Sequence, residues 1–339
     1  MTTIPTRNIG NTSVGSLGFG AMGLAAFYGD AVEQKVVNEL LLECIKQGST
    51  MIDTADIYSP LKLQRLGYNE EQIGQFFKDY PGSREKVFLA TKFVNTWTPE
   101  GTMTQRADRE YCLSACDASL KRLGVDYIDL YYAHRPDPKV DVTETVGALK
   151  ELKDAGKIKY IGVSEYNIDQ LTRANKVAHI DALQIEFSPW TPDIVSNGIL
   201  KWCEDNGTDV VAYSPLGRGF LTGQYKSVDD FEEGDFRKHN PRFQGENFKK
   251  NLVLVDDMKK IADKKGVTAG QVALAWVLSK SERIIAIPGT KKIKYLHENI
   301  EGARLHLNAA EIKEIDGVIN SFKVSGSRYP EQMAKILAF

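Results

Sequence analysis

Short apolar, β-branched runs alternate with stretches of helical periodicity along the whole chain. The runs cover 16–22, 50–53, 87–92, 128–134, 160–164, 182–187, 210–214 and 284–289. Most are continuously apolar, the pattern of parallel strands covered on both faces. Between them, Leu113, Cys116, Leu120 and Leu123 recur at helical spacing and stop at Gly124. Asp141-x-x-Glu144, Thr268-x-x-Gln271 and Asn308-x-x-Glu311 read as helix starts, the first followed by a Val146, Leu149, Leu152 stripe that ends at Gly156. Eight strand–helix units in 339 residues predict an α/β fold, a closed (β/α)8 TIM barrel rather than an open sheet. Turn signals at Gly10-Asn11 and Gly15 predict an N-terminal β-hairpin cap, and the polar stretch 223–250 predicts a long, lid-like loop after strand seven. The expected organisation is one domain: cap 1–15, barrel 16–305, and C-terminal helix and tail 306–339.

Composition narrows the partners. With 42% hydrophobic residues, 26% charged residues and a net charge of −2, neither nucleic acid nor a membrane surface is the expected main partner. No apolar run approaches the roughly 20 residues needed to span a bilayer, and the first residues lack the pattern of a signal peptide. Cys44, Cys112, Cys116 and Cys203 form no CxxC pair and read as buried thiols. His179, His239, His297 and His306 show no metal-ligand spacing, so no metal is expected. A cytoplasmic small-molecule protein, monomeric or weakly self-associating, is the expectation.

One motif invites a wrong turn. Gly18-Phe19-Gly20-Ala21-Met22-Gly23 matches G-x-G-x-x-G, the dinucleotide fingerprint of an open sheet. That fingerprint needs a helix opening on its last glycine and an acidic residue ending a second strand. Here LAAFYGDA intervenes, and Glu39 falls inside the following helix. The better reading is a glycine-rich turn ending strand one and letting a ligand approach the backbone.

Residues at the C-terminal ends of barrel strands line the catalytic face. Those ends carry Asp53 with Tyr58 beyond it, Lys92, His134, Ser164 with Glu165, Gln184 with Glu186, Tyr213 with Ser214, and Gly289 with Thr290. Taken singly, each has a bland reading as a cap or a solvated side chain; their joint placement on one face points to chemistry. A tyrosine is a poor acid at neutral pH, a nearby ammonium favours its phenolate, and a carboxylate holds that ammonium charged. Asp53, Lys92, Tyr58 and His134 therefore read as a tuned general acid, in which Lys92 is expected to lower the Tyr58 pKa. Hydride must come from a cofactor, because no side chain donates it.

At this point the chain resembles the aldo-keto reductases. The resemblance rests on MIDTADIY (51–58), NEEQIG (69–74), ATK (90–92), YYAHRPDP (131–138), GKIKYIGVSE (156–165), LQIEFS (183–188), AYSPLGRGFLTG (212–223) and IPGTKKIKYLHENIEGA (287–303). HRPDP, NPRFQGEN (240–247) and RYPE (328–331) look most like the branch of perakine-reductase-like and YakC-like enzymes, with pyridoxal reductases nearby. The resemblance implies metal-free, NADPH-dependent, reversible reduction of aldehydes and ketones, with Asp53, Tyr58, Lys92 and His134 as the catalytic tetrad. It further implies that Ser164 and Gln184 hold the nicotinamide carboxamide while Tyr213 stacks on the ring. Gly20 and Met22 would border the cofactor, and Ser214, Pro215, Leu216, Gly217, Arg218 and Gly219 would run along the pyrophosphate. Gly289 and Thr290, expected to open a helix, would take the 2′-phosphate with Lys291 and Lys294. Glu298 and Asn299 would meet the adenine.

Three departures bear on this picture. Glu165 stands where many members have Asn; it accepts but cannot donate, so its carboxamide contact is expected in altered form. Tyr295 stands where an arginine often meets the 2′-phosphate, which shifts that task to Lys291. The loop SPLKLQRLGY (59–68) is longer than usual beside the substrate. Phe27, Tyr28, Trp97 and the terminal MAKILAF are candidate walls of an apolar substrate pocket, equally readable as rim packing. The alternative function is an NADPH-binding regulatory or redox-sensor subunit with little turnover, and a metal-dependent barrel hydrolase lacks enough strand-end ligands.

Overall fold

In the computed structural model, residues 4–98 and 100–330 are described. The anticipated hairpin forms from β1 (Thr6–Ile9) and β2 (Thr12–Gly15). The barrel strands are β3 (Phe19–Gly20), β4 (Met51–Asp53) and β5 (Phe88–Phe93). A two-stranded ribbon, β6 (Asn95–Trp97) and β7 (Met103–Gln105), interrupts the series. It continues with β8 (Ile128–Ala133), β9 (Ile158–Ser164), β10 (Ala182–Glu186), β11 (Asp209–Tyr213) and β12 (Ile284–Ala286). Neighbours pair in parallel in the order β3, β4, β5, β8, β9, β10, β11, β12. A parallel bridge between Leu17 and Ala286 closes the ring, with the Gly18 amide donating to the Ala286 carbonyl at 2.8 Å. All eight anticipated strands are present. The ribbon was not anticipated, because its three-residue strands are too short and too polar to carry a periodic signal.

Two apolar layers hold the barrel. Its interior is filled by Met51, Phe88, Ala90, Leu130, Tyr132, Ala182, Val211 and Ile285, and Ile9 and Val14 of the hairpin belong to the same buried cluster. The outer layer joins the other strand faces to helices α1 (Gln34–Gln47), α2 (Tyr68–Asp79), α3 (Arg109–Leu123), α4 (Val142–Asp154), α5 (Ile168–Asn175), α6 (Ile199–Asn206), α7 (Gly245–Lys265), α8 (Ala269–Ser279), α9 (Ile293–Arg304) and α10 (Ala309–Ser321). Capping boxes form at Thr268 with Gln271 and at Asn308 with Glu311. At α4 the box is half made: Asp141 accepts from the Thr143 amide, while Glu144 accepts from the Arg109 amide at 3.3 Å.

The glycines of the misleading motif serve closure. A Cβ on Gly20 would stand 2.7 Å from the Ile287 carbonyl oxygen, one on Gly289 would stand 2.4 Å from the Gly20 carbonyl oxygen, and one on Gly18 would stand 2.9 Å from the Met51 carbonyl oxygen. What they admit at these points is the neighbouring strand. A short 3-10 turn (Ala21–Leu24) follows, and α1 begins only at Gln34.

Residues 214–244 connect β11 to α7 as a strap of short 3-10 turns, here the anticipated long loop. It is anchored by an aromatic cluster of Trp190, Phe220, Phe231, Phe243 and Phe248. The Phe236 amide donates to the Phe27 carbonyl at 3.0 Å, tying the strap to the segment after β3. Among the described residues, no helix is long and apolar enough to cross a membrane, and no cluster of His, Cys, Asp and Glu is arranged to hold a metal ion.

Closure at the glycines gives a stability test. Gly289→Ala should destabilise the fold by about 1–3 kcal/mol, because backbone must move to admit the methyl group. Gly147→Ala, inside α4 with nothing within 4 Å of the new Cβ, should be neutral or stabilising by about 0.5–1 kcal/mol. Denaturant unfolding of the two variants reads the contrast, and equal effects would refute it.

Candidate active site

The site is assembled where β4, β5, β8 and β10 end. β4 delivers Asp53, and the following turn is fixed before Tyr58 is reached. The Thr54 amide donates to Ala90 O (2.9 Å), the Asp56 amide to Lys92 O (3.1 Å), and the Asn69 amide to Tyr58 O (3.0 Å). Behind the turn, Thr54 donates to Asn69, and Glu70 receives both Thr91 and Arg122. Tyr58 is thus held between a strand and the first turn of α2, so its phenol is placed by backbone rather than by a flexible loop.

Lys92 joins the group. Its ammonium lies 2.5 Å from Asp53 Oδ1, 2.7 Å from the Thr54 carbonyl oxygen and 3.4 Å from the Tyr58 hydroxyl. Gln184 of β10 donates to Asp53 Oδ2 at 2.8 Å. Burial alone would lower the Lys92 pKa, but the Asp53 carboxylate and the Tyr58 phenol raise it above the usual lysine value. Burial likewise pushes the Asp53 carboxyl up, against the pull of Lys92 and Gln184. We assign the shared proton to Lys92, because three oxygens converge on its ammonium. His134 packs edge-on against Tyr58, ring centroids 5.9 Å apart. Burial first, then the charges of Arg135 and Lys92, hold its pKa well below the ordinary histidine value, so the ring is neutral. For Tyr58 the expected direction reverses: burial raises the phenol pKa, and Lys92 pulls it down without overcoming that rise.

The other strand ends form a second, charged tier. Glu165 has φ +57°, a conformation unfavourable for a non-glycine residue. Its carboxylate accepts from Arg328 (2.6 Å), the Tyr213 hydroxyl (2.8 Å) and the Glu186 amide (3.1 Å). The altered carboxamide contact expected of Glu165 therefore meets a carboxylate already engaged by the C-terminal segment. The Tyr213 hydroxyl also lies 3.2 Å from that of Tyr329. Arg218 lies 4.7 Å from the Tyr329 ring and 3.6 Å from Glu186. Ser164 accepts from Arg135 at 3.0 Å.

The turn Ser214–Gly219 carries four left-handed residues, Ser214, Gly217, Arg218 and Gly219. The amides of Leu216 and Arg218 make no hydrogen bond among the described residues. The helix after Gly289 opens later than expected, at Ile293, and no side chain caps it. Lys291 donates to the carbonyls of Tyr28 and Asp30 (2.5 and 3.0 Å), whereas the Lys294 side chain is exposed. Glu298 accepts from Thr268, and Asn299 is buried nearly two turns into α9.

Of the candidate substrate walls, Phe27 and Trp97 pack with Met22 in the small cluster around Tyr58, while Tyr28 turns away under Arg237, 5.0 Å from its ring. MAKILAF lies outside the described residues. The sequence reading missed Leu66, which joins the same cluster from the long 59–68 loop. It also missed Arg135, Arg328 and Tyr329 as site residues. The signal for Arg135 was its position directly after a strand-end histidine, and for Arg328 and Tyr329 the RYPE run; their place in the site was not readable, since 163 residues separate Arg328 from Glu165.

Comparison with known proteins matches this geometry. The model of the Aldo/keto reductase family fits residues 16–320. The chain is 45% identical to aldo-keto reductase yakc [NADP(+)] of Schizosaccharomyces pombe, over 97% of this chain and 95% of that one. It is 43% identical to aldo-keto reductase str7 of Strobilurus tenacellus, covering 98% and 97%. Among solved structures, the glycerol dehydrogenase AKR11B4 of Gluconobacter oxydans superposes with a TM-score of 0.85 at 26% identity, covering 96% and 98%. A barrel closed at paired glycines, a buried Asp–Lys pair beneath a fixed tyrosine and a family match over nearly the whole length converge: the chain belongs to the aldo/keto reductase family.

Proposed function

We propose that the protein reduces aldehydes and ketones to alcohols with NADPH, and that Tyr58 is the proton donor. The observation that carries this reading is the convergence on Tyr58 of a charged Lys92 at 3.4 Å and a neutral His134 packed on its ring. Hydride is what no side chain supplies, and bound NADPH provides it. The protein's own part is to hold the carbonyl oxygen and give it a proton. With His134 neutral and its Nδ1 buried without an acceptor, the ring proton is best placed on Nε2, where it can donate to that oxygen beside the Tyr58 hydroxyl. Lys92, held charged by Asp53, stabilises the phenolate left after proton transfer. The same groups run the reverse reaction from the phenolate.

The described residues suit the cofactor. Unspent amides at Leu216 and Arg218, together with the Arg218 guanidinium, fit a pyrophosphate. Ser164, Gln184 and Tyr213 stand at the strand ends expected to receive the nicotinamide, with Gly20 and Met22 assigned to the same cofactor face. The uncapped start of α9 beside Lys291 fits a phosphate at the 2′ position, with Thr290 and Lys294 flanking it and Glu298 and Asn299 nearby for the base. An assembled tetrad favours an enzyme over a sensor subunit.

Four outcomes test this reading. Tyr58→Phe should lower kcat for 4-nitrobenzaldehyde with NADPH by about 100-fold or more while NADPH still quenches protein fluorescence; retained turnover would remove Tyr58 as the acid. Reduction needs the protonated phenol, whose pKa is raised, so activity is lost only as pH rises through a value above about 10. Because the His134 pKa is lowered, kcat/KM should show no inflection near the ordinary histidine value of about 6.5; a clear one there would contradict a neutral ring. Lys291→Ala should raise KM for NADPH about 10-fold and leave KM for NADH within about threefold, since an exchanged charge contact costs roughly this much; equal losses would sink the 2′-phosphate assignment.

A further inference from the structure

Three arginines border the mouth near Tyr213, and two of them face carboxylates. Arg328 bonds Glu165 and lies 3.4 Å from Glu186, and Arg218 lies 3.6 Å from Glu186. The third, Arg135, has no carboxylate within ion-pair distance among the described residues. Its Nη1 donates to the His134 carbonyl at 2.7 Å and to Ser164 Oγ at 3.0 Å, and its guanidinium carbon stands 6.0 Å from the centre of the Tyr213 ring. Both hydrogen bonds use one nitrogen. The Nε and Nη2 edge makes none among the described residues, and neither atom is sealed from solvent. That edge is the fork with which arginine grips a carboxylate or a carbonyl oxygen. A half-buried guanidinium held by one corner, its fork turned to the opening beside His134 and Ser164, is set for an acceptor that arrives with the substrate.

We propose that Arg135 reads the substrate: it binds an acceptor oxygen on the carbon next to the reacting carbonyl, so the enzyme prefers 2-oxo acids, their esters and vicinal dicarbonyls over simple aldehydes. This rests on the reductase reading above. The reacting oxygen sits at Tyr58 and His134, and the residue following His134 in the chain is the one that meets the neighbouring oxygen. Arg135 is close enough for its charge to act on both groups, depressing the His134 pKa and opposing the rise at Tyr58. A substrate oxygen bound to the fork would also draw electron density from the reacting carbon. Glu165 acts on Arg135 through its charge but makes no hydrogen bond to it, its oxygens being used by Arg328, Tyr213 and the Glu186 amide.

The test uses the full chain with NADPH and three substrates: 4-nitrobenzaldehyde, the neutral ester methyl benzoylformate and the anion phenylglyoxylate. In Arg135→Leu, kcat/KM for each oxo compound relative to that for 4-nitrobenzaldehyde should fall about 10- to 100-fold, the effect of removing a charged hydrogen-bond donor. A larger fall for phenylglyoxylate than for the ester identifies a carboxylate as the preferred group, and equal falls identify a second carbonyl. Arg135→Lys, which keeps the charge without the fork, should restore part of the preference for the anion. Ratios within about threefold of wild type in Arg135→Leu would overturn the proposal, as would a rise in KM for NADPH that accounts for equal losses on all three substrates. Failure of the wild-type protein to reduce any of the three would overturn the reductase reading, and this assignment with it.

Discussion

A lysine ammonium with no solvent exposure and a carboxylate 3% exposed, 2.5 Å apart, form the interaction on which the rest of the mouth depends. Removing two such charges from water costs several kcal/mol each, and their attraction offsets this only when the remaining donors and acceptors are also satisfied. The barrel satisfies them. Thr54 O takes one ammonium proton, Gln184 covers the second Asp53 oxygen, and the Tyr58 hydroxyl completes the set. Each partner comes from a different place: Asp53 from β4, Lys92 from β5, Gln184 from β10. The pair therefore tolerates little change in strand register, and the closed, right-sized ring is a precondition for it. Apolar residues of similar volume in place of both Asp53 and Lys92 would remove the desolvation cost, whereas loss of Lys92 alone would strand a buried carboxylate, so function rather than stability explains a charge pair in that position.

That buried charge also sets the states of its neighbours. His134 is held neutral first by its burial, and the nearby charges of Arg135 and then Lys92, each disfavouring a second cation, add to the same pressure. Tyr58 feels burial more strongly than it feels Lys92, so the phenol stays protonated in the unliganded site. For an acid catalyst that is the required resting state. Lys92 then acts mainly on the product of proton transfer, the phenolate, which gains the full attraction of the ammonium where the neutral phenol gains little.

How far the sequence discloses this depends on chain distance. The eight strands could be read because burial on both faces makes them continuously apolar, and the tetrad could be read because each member lies at a strand end or within five residues of one. At Gly18 and Gly20, composition reveals a close approach but not all that approaches: the backbone of Ile287 and Met51 is there, which no local pattern shows. The direction of the Tyr58 shift was misjudged for a related reason. Sequence shows that a lysine is near, but not that Tyr58 is buried in a cluster against which Met22, Phe27, Leu66 and Trp97 pack. The pairing of Glu165 with Arg328 and the bond of Lys291 to Tyr28 O join residues 163 and 263 positions apart, and no local pattern encodes them.

The same division separates chemistry from selectivity. Asp53, Lys92, Tyr58 and His134 are fixed by strands and by the first turn of α2, where a shift of one residue would dismantle the core. The 59–68 loop, the segment after β3, the strap and the C-terminal segment around them are held to the barrel by side chains and single backbone bonds such as that of the Phe236 amide to Phe27 O. Such contacts can be exchanged without touching register. Arg135 stands between the two regimes: its backbone is as fixed as that of His134, while its guanidinium is held at one corner only and leaves a fork to the opening. A residue so placed can change what the fixed chemistry acts on at little cost to the fold, which is why specificity is better sought there than in the tetrad.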